Sequence, residues 1–113
     1  MQYLVLIYAN EAVATQKRDE KLMNGYRAFT QSIIETGQFK GGDALQASTT
    51  ATTVRVRDGK VLTTDGPFAE THEQLGGYYL IEAKNLDEAI KVAARIPSAV
   101  FGSIEIRPIW AMS

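Results

Sequence analysis

The chain has 113 residues, 45% of them hydrophobic and 22% charged, with a net charge of −1 and no cysteine. A chain of that length forms one domain and buries about 65% of its extended surface. The charge balance excludes an electrostatic case for nucleic acid or anionic membranes, and the missing cysteine excludes a disulfide framework, a thiolate nucleophile and a cysteine-based metal site.

Residues 3–9 (YLVLIYA) are apolar at odd and even positions alike, the pattern of a strand buried on both faces. No basic region precedes this run, no small-residue cleavage pattern follows it, and it is too short to span a bilayer. It therefore reads as a first strand, and the protein is expected in the cytoplasm. Residues 17–35 are predicted to form a helix, because Leu22, Tyr26, Phe29 and Ile33 make one apolar stripe, with Gly37 as the stop.

Residues 39–45 contain Gly41-Gly42 and read as a loop or a short bent strand. Next, residues 53–57 and 60–64 are predicted to pair as a hairpin around Asp58-Gly59, with Val54 and Val56 on one face and Arg55 and Arg57 on the other. Residues 76–83 are a second strand apolar on both faces, Tyr78 and Leu80 opposing Tyr79 and Ile81. Asn85-Leu86-Asp87-Glu88 resembles a capping box in which Glu88 reaches back to the cap. The helix it opens has a stripe of Leu86, Ala89, Ile90, Ala93 and Ala94 and is ended by Pro97. Residues 103–110 form the last strand, Ile104 and Ile106 opposing Glu105 and Arg107.

This order, β-α-(β-hairpin)-β-α-β, predicts an α+β fold: a ferredoxin-like split βαβ with an inserted β-hairpin and two helices on one face of an antiparallel sheet. Two helices cover one face only, yet two strands are apolar on both. A sheet face of that kind is not expected to stay open on a monomer, so a two-fold homodimer packed sheet to sheet is the expected partner arrangement.

Chemistry concentrates in residues 64–83, TDGPFAETHEQLGGYYLIEA. Asp65 ends a hairpin strand, Gly66 reaches backbone angles barred to other residues, and Pro67 fixes φ. The corner presents Asp65 on one side and Phe68 on the other. One reading is turn chemistry, with the Asp65 carboxylate bonding nearby amides and Phe68 plugging the core edge. The other is a carboxylate beside an apolar cleft, where desolvation makes it a general acid or base. His72 is the second titratable candidate, set in a polar run. Asp65, Glu70, His72 and Glu73 match no standard metal-ligand spacing. Arg55 and Arg107 are candidates for holding a substrate anion, and the Tyr26 hydroxyl for lining a pocket between helix and sheet. Neither double glycine sits in a phosphate-loop context, and nothing in the sequence calls for a heme, flavin or other cofactor.

The segments TTVRVRDGKVLTTDGPFAETHEQLGGYYLIEA, NLDEAIKVAARIP and GSIEIRPI resemble the YCII-related family, in particular its DGPF-motif branch, and YLVLIYANEA extends the resemblance to nearly the whole chain. The resemblance implies a ferredoxin-like fold dimerising through its sheets as a dimeric α/β barrel. That superfamily includes small isomerases, lyases and monooxygenases as well as small-molecule sensing domains. Other YCII-like proteins are thought to use a His–Asp pair with the His on the first helix. No histidine lies there in this chain, Tyr26 stands near that place, and only Asp65 carries over. Two functions therefore compete: a cofactor-independent lyase or isomerase that uses Asp65, with His72 as a further catalytic candidate, on a small organic acid held by Tyr26, Arg55, Phe68 and Arg107; or a non-enzymatic binding, regulatory or assembly module.

Overall fold

The computed structural model describes residues 1–111. Strand β1 (Gln2–Ala9) leads through helices α1 (Glu11–Lys17) and α2 (Glu20–Glu35) to β2 (Phe39–Ala44). The hairpin β3 (Thr52–Arg57) and β4 (Lys60–Asp65) follows, then β5 (Gln74–Glu82), α3 (Leu86–Ala93) and β6 (Ser103–Pro108). The main sheet runs β2-β5-β1-β6 with every neighbouring pair antiparallel, which is the ferredoxin-like order. Within one chain this sheet is open and not a closed barrel. Among the described residues no helix is long and apolar enough to cross a membrane.

The helix expected over residues 17–35 is α2, which starts three residues later at Glu20, and a short helix the sequence reading did not anticipate, α1, precedes it. Asn10 caps α1, its Oδ1 accepting the amides of Ala12 and Val13 at 3.1 and 3.2 Å. Asp19 caps α2 by accepting the Leu22 amide at 2.8 Å. Each cap satisfies amides that begin a helix, so Asn10 starts α1 ahead of the expected span and Asp19 sets the first residue of α2. The end of α2 is as expected: Gly37 N–H bonds Ile34 O at 3.0 Å and Gln38 N–H bonds Ile33 O at 2.9 Å, the paired bonds of a Schellman stop. Residues 39–44 pair with β5 as a short strand with a register irregularity between Phe39 and Gly41.

The α3 cap also differs from its expected form. Asn85 Oδ1 accepts the Glu88 amide at 2.9 Å, but the Glu88 carboxylate takes the amide of Lys84, one residue before the cap. The helix stops at Ala93, and Pro97 instead opens a 3₁₀ turn, Pro97–Val100. Its buried face is Ala89, Val92 and Ala93, whereas Leu86 and Ile90 are about half exposed at 50% and 48%. The smaller residues face the sheet because α3 packs close to it. The apolar stripe read from the sequence is turned toward solvent by part of a helix turn.

The core lies between α2, α3 and one face of the sheet. Tyr3, Val5 and Ile7 of β1 and Tyr79 and Ile81 of β5 meet Phe29 and Ile33 of α2 and Val92 of α3, with Ile104 and Ile106 packed alongside. The Phe29 and Tyr79 rings meet edge to face at 5.3 Å, and the Tyr79 hydroxyl bonds that of Thr30 at 2.7 Å.

The register puts Leu4, Leu6, Tyr8, Tyr78 and Leu80 on the opposite sheet face, where they are part-buried and, among the described residues, no helix packs on them. Arg107 pairs in register with Leu4, Glu105 with Leu6 and Asp43 with Tyr78, which sets these three polar residues on the same open face. The consequence shows in the shape. The chain measures 47 × 43 × 19 Å with a radius of gyration of 15.9 Å, against about 13 Å for a compact chain of this size. It is two layers thick, and its sheet lacks a third.

Candidate functional site

The hairpin forms a separate two-stranded sheet around a turn in which Asp58 and Gly59 take φ of 53° and 75°, the two positive values of a type I′ turn. Its register, Thr52↔Asp65, Val54↔Thr63 and Val56↔Val61, places Asp65 on the valine face of this arm. Arg55 pairs with Leu62 and lies on the other face together with Arg57 and Lys60. Asp65 and Arg55 therefore point to opposite sides and form no ion pair.

The corner after Asp65 is held firmly. Gly66 takes φ of 98°, which an L side chain rarely adopts. Its N–H bonds Ala51 O at 2.6 Å, and its carbonyl accepts the Thr53 hydroxyl at 2.8 Å. Asp65 and Phe68 are both exposed, Phe68 at 80%. Phe68 does not plug the core edge.

Behind the corner runs a shallow cleft of about 290 Å³ lined by Ser48, Pro67, Ala69, Glu70, Thr71 and Gln74. Its polar side chains are already occupied, with one exception. The Ser48 hydroxyl and amide donate to the Glu11 carboxylate at 2.5 and 2.7 Å. Gln74 accepts the Glu11 amide at 3.0 Å and donates to Thr71 O at 2.6 Å, while the Thr71 hydroxyl donates to Glu73 O at 2.5 Å. Asn10 Nδ2 donates to the His72 carbonyl at 3.3 Å, and the Ser103 hydroxyl to Glu73 at 2.6 Å. This network ties the corner loop to α1 and β6 and leaves the Glu70 carboxylate as the lining group without such a bond. A second concavity of about 320 Å³, between α3 and β6, is lined by Ile90, Ala93, Ala94, Ala99, Ile104 and Ile106 and offers no polar side chain.

The remaining sequence candidates sit apart. The His72 side chain is exposed in the corner loop. Tyr26 lies on the helix side, its hydroxyl 2.5 Å from that of Ser98, the buried polar residue of the core. Burial pushes the Tyr26 phenol above its usual range, against the pull of the Ser98 bond, so it stays neutral. Arg107 is on the open sheet face with its guanidinium on Glu105, which raises its basicity further. One chain thus brings Asp65, Phe68 and His72 to a single loop and leaves Tyr26, Arg55 and Arg107 on three other surfaces. Among the described residues no group of three metal-ligating side chains assembles.

Sequence reading did not find Glu11, Ser48 and Gln74, because the bonds of Glu11 to the other two span 37 and 63 residues and no local motif links them. Asn10-Glu11 after the first strand was the available signal, as a cap followed by an acid in the first turn. The Ser48 bonds hold the Glu11 carboxyl below its ordinary value of 4.5. A lowered folded-state value contributes stability above the unfolded value, which is lost as pH falls through the folded one. Melting temperature is expected to fall on acidification below about pH 4.5, and Glu11→Gln to remove part of that slope, by no more than about 4 °C at this exposed site. Parallel melting-against-pH curves for the two proteins check it.

The order of the sheet, the two helices on one face and the inserted arm define a ferredoxin-like α+β domain with an open apolar face. The profile of the YCII-related domain matches residues 1–113. An uncharacterised protein of Rhizobium meliloti (strain 1021) is 39% identical over 114 residues, covering 96% of this chain and 92% of that protein. The chain belongs to the YCII-related family.

Proposed function

We propose that the chain works as a homodimer, two open sheet faces packed into a dimeric α/β barrel, that binds a small organic acid between them. The observation that carries this reading is the uncovered face of Leu4, Leu6, Tyr8, Tyr78 and Leu80 with Arg107 set among them. Apolar surface of that extent is stabilised by a second sheet at about 10 Å, at about 25 cal/mol for each Å² removed from water. The face also carries the Glu105 and Asp43 carboxylates, which hold the Arg107 guanidinium and the Tyr78 hydroxyl, so a small carboxylate would bind there by taking Arg107 over from Glu105. The Asp65-Gly66-Pro67-Phe68 corner supports a place in the DGPF-motif branch, and the cytoplasm is the compartment that fits a cysteine-free chain.

Binding without turnover is the better-supported form of this reading, since the titratable candidates of one chain do not converge. A cofactor-independent lyase or isomerase is the second reading. It is favoured by the rigid seating of Asp65 at the foot of an apolar strand face, where cover from a second copy would desolvate the carboxylate and fit it for proton transfer, with His72 nearby in the loop.

Sedimentation is expected to show a dimer for the wild type and a folded monomer for Leu80→Arg, because an arginine stem lies on the sheet while its charge opposes a dry contact. Small carboxylates such as succinate and benzoate then separate the ligand readings in a thermal-shift screen. A ligand at a hundred times its dissociation constant adds about 2.7 kcal/mol to the wild type, and Arg107→Gln is expected to abolish the gain. Turnover of that ligand, lost in Asp65→Asn, would establish the enzyme. A wild type that sediments as a monomer overturns the dimer.

A further inference from the structure

The β3–β4 arm finds little support within one chain. It is a hairpin of two six-residue strands outside the main sheet, and such an isolated hairpin is marginal in water. Val54, Val56 and Val61 form a stripe on one face of it, at 60%, 59% and 69% exposure. Its other face carries Arg55, Arg57 and Lys60, with Asp58 at the turn, on a chain whose net charge is −1. A cationic arm thus leaves an anionic body, and among the described residues none of these three cations forms an ion pair.

From these observations we infer that the arm seats its valine face on a second copy of the chain, reciprocally across the two-fold axis, and that this contact completes the site around Asp65. The inference rests on the homodimer proposed above and extends it to a different surface. Interface area argues for it. Four strands at about 4.8 Å spacing and about 20 Å length give a footprint of about 400 Å² for the open face. A standard stable interface takes about 800 Å² from each partner. An arm given and an arm received, at about 200 Å² each by the same spacing, supply the remainder. An arm of about 20 Å also has the reach to cross a sheet-to-sheet gap of about 10 Å. Asp65 shares the valine face, so the seated arm covers it with atoms of the second copy, and neither chain alone holds the complete surroundings of that carboxylate.

The absence of native cysteine allows a direct test. Val56→Cys and, separately, Val61→Cys place a single thiol on the valine face, and Thr64→Cys places one on the cationic face as a reference. Thiol labelling under native conditions is expected to be at least tenfold slower at position 56 or 61 than at 64. The protection should fade on dilution toward monomer and vanish when Leu80→Arg is added. Equal labelling at all three positions in a protein that sediments as a dimer overturns the arm contact and leaves the sheet contact standing. Protection that survives dilution and Leu80→Arg overturns it as well, since the arm then folds onto its own chain. A monomer at every concentration removes both the arm contact and the dimer.

Discussion

Alanine at Gly102 is expected to lower the melting temperature by more than about 10 °C, or to prevent recovery of folded protein. A Cβ at this position would stand 2.2 Å from the Tyr8 carbonyl oxygen and 3.2 Å from both Ala9 Cβ and Ser98 O. None of these is the far end of a flexible side chain. Tyr8 is held in the central strand, bonded between β5 and β6, and the Ser98 carbonyl also accepts the Gly102 amide at 2.8 Å. Relief must come from moving backbone, and overpacking of a core costs about 1–3 kcal/mol even where side chains give way. We place this substitution above about 3 kcal/mol, a large share of the stability of a domain this size. Gly76→Ala is the control, since its Cβ would meet only Ile7 O at 3.9 Å. If the two variants melt alike, close approach to Tyr8 is not what requires glycine at 102.

The second large effect is at Ile81. This side chain is fully buried at 0% exposure and stands in register between Tyr3 of β1 and Phe39 of β2. Ile81→Ala removes its transfer energy and leaves a cavity whose walls belong to strands on both sides and so collapse little. The expected loss is about 2–5 kcal/mol, read as a lower denaturation midpoint at unchanged slope. Ile90→Ala is the informative partner. The sequence stripe assigned Ile90 to the core, whereas the structure leaves it 48% exposed, so its loss is expected to stay below about 1 kcal/mol. Equal losses at the two positions would mean that α3 is turned as the stripe predicted.

What could be read in the sequence was what short-range physics decides. The first strand, the Asp58-Gly59 turn and the Gly37 stop were legible because alternation, positive φ and helix termination act over a few residues. Helix α1 was missed because it is short and buries no residue, so it carries no apolar stripe to mark it. The rotation of α3 depends on how closely a helix approaches its sheet, which alanine spacing does not encode. The corner between Asp65 and Phe68 was legible, since Gly-Pro after an acid is a local signal. Its Glu11–Ser48–Gln74 support was not, because three distant segments meet there. Gly102 carries no signature either, as its neighbour Tyr8 belongs to a strand nearly a whole chain away.

The strand order has a consequence for how the protein comes into being. β1 is synthesised first, yet it lies between β5 and β6, with Leu4 opposite both Leu80 and Arg107. Neither edge of this doubly apolar strand finds its partner until most of the chain has been made. Closing loops of that length before any contact rewards them slows folding. Until β5 and β6 have been made, β1 therefore stays an unpaired, aggregation-prone segment. The ribosome completes the last strand before the first one can be safely put away.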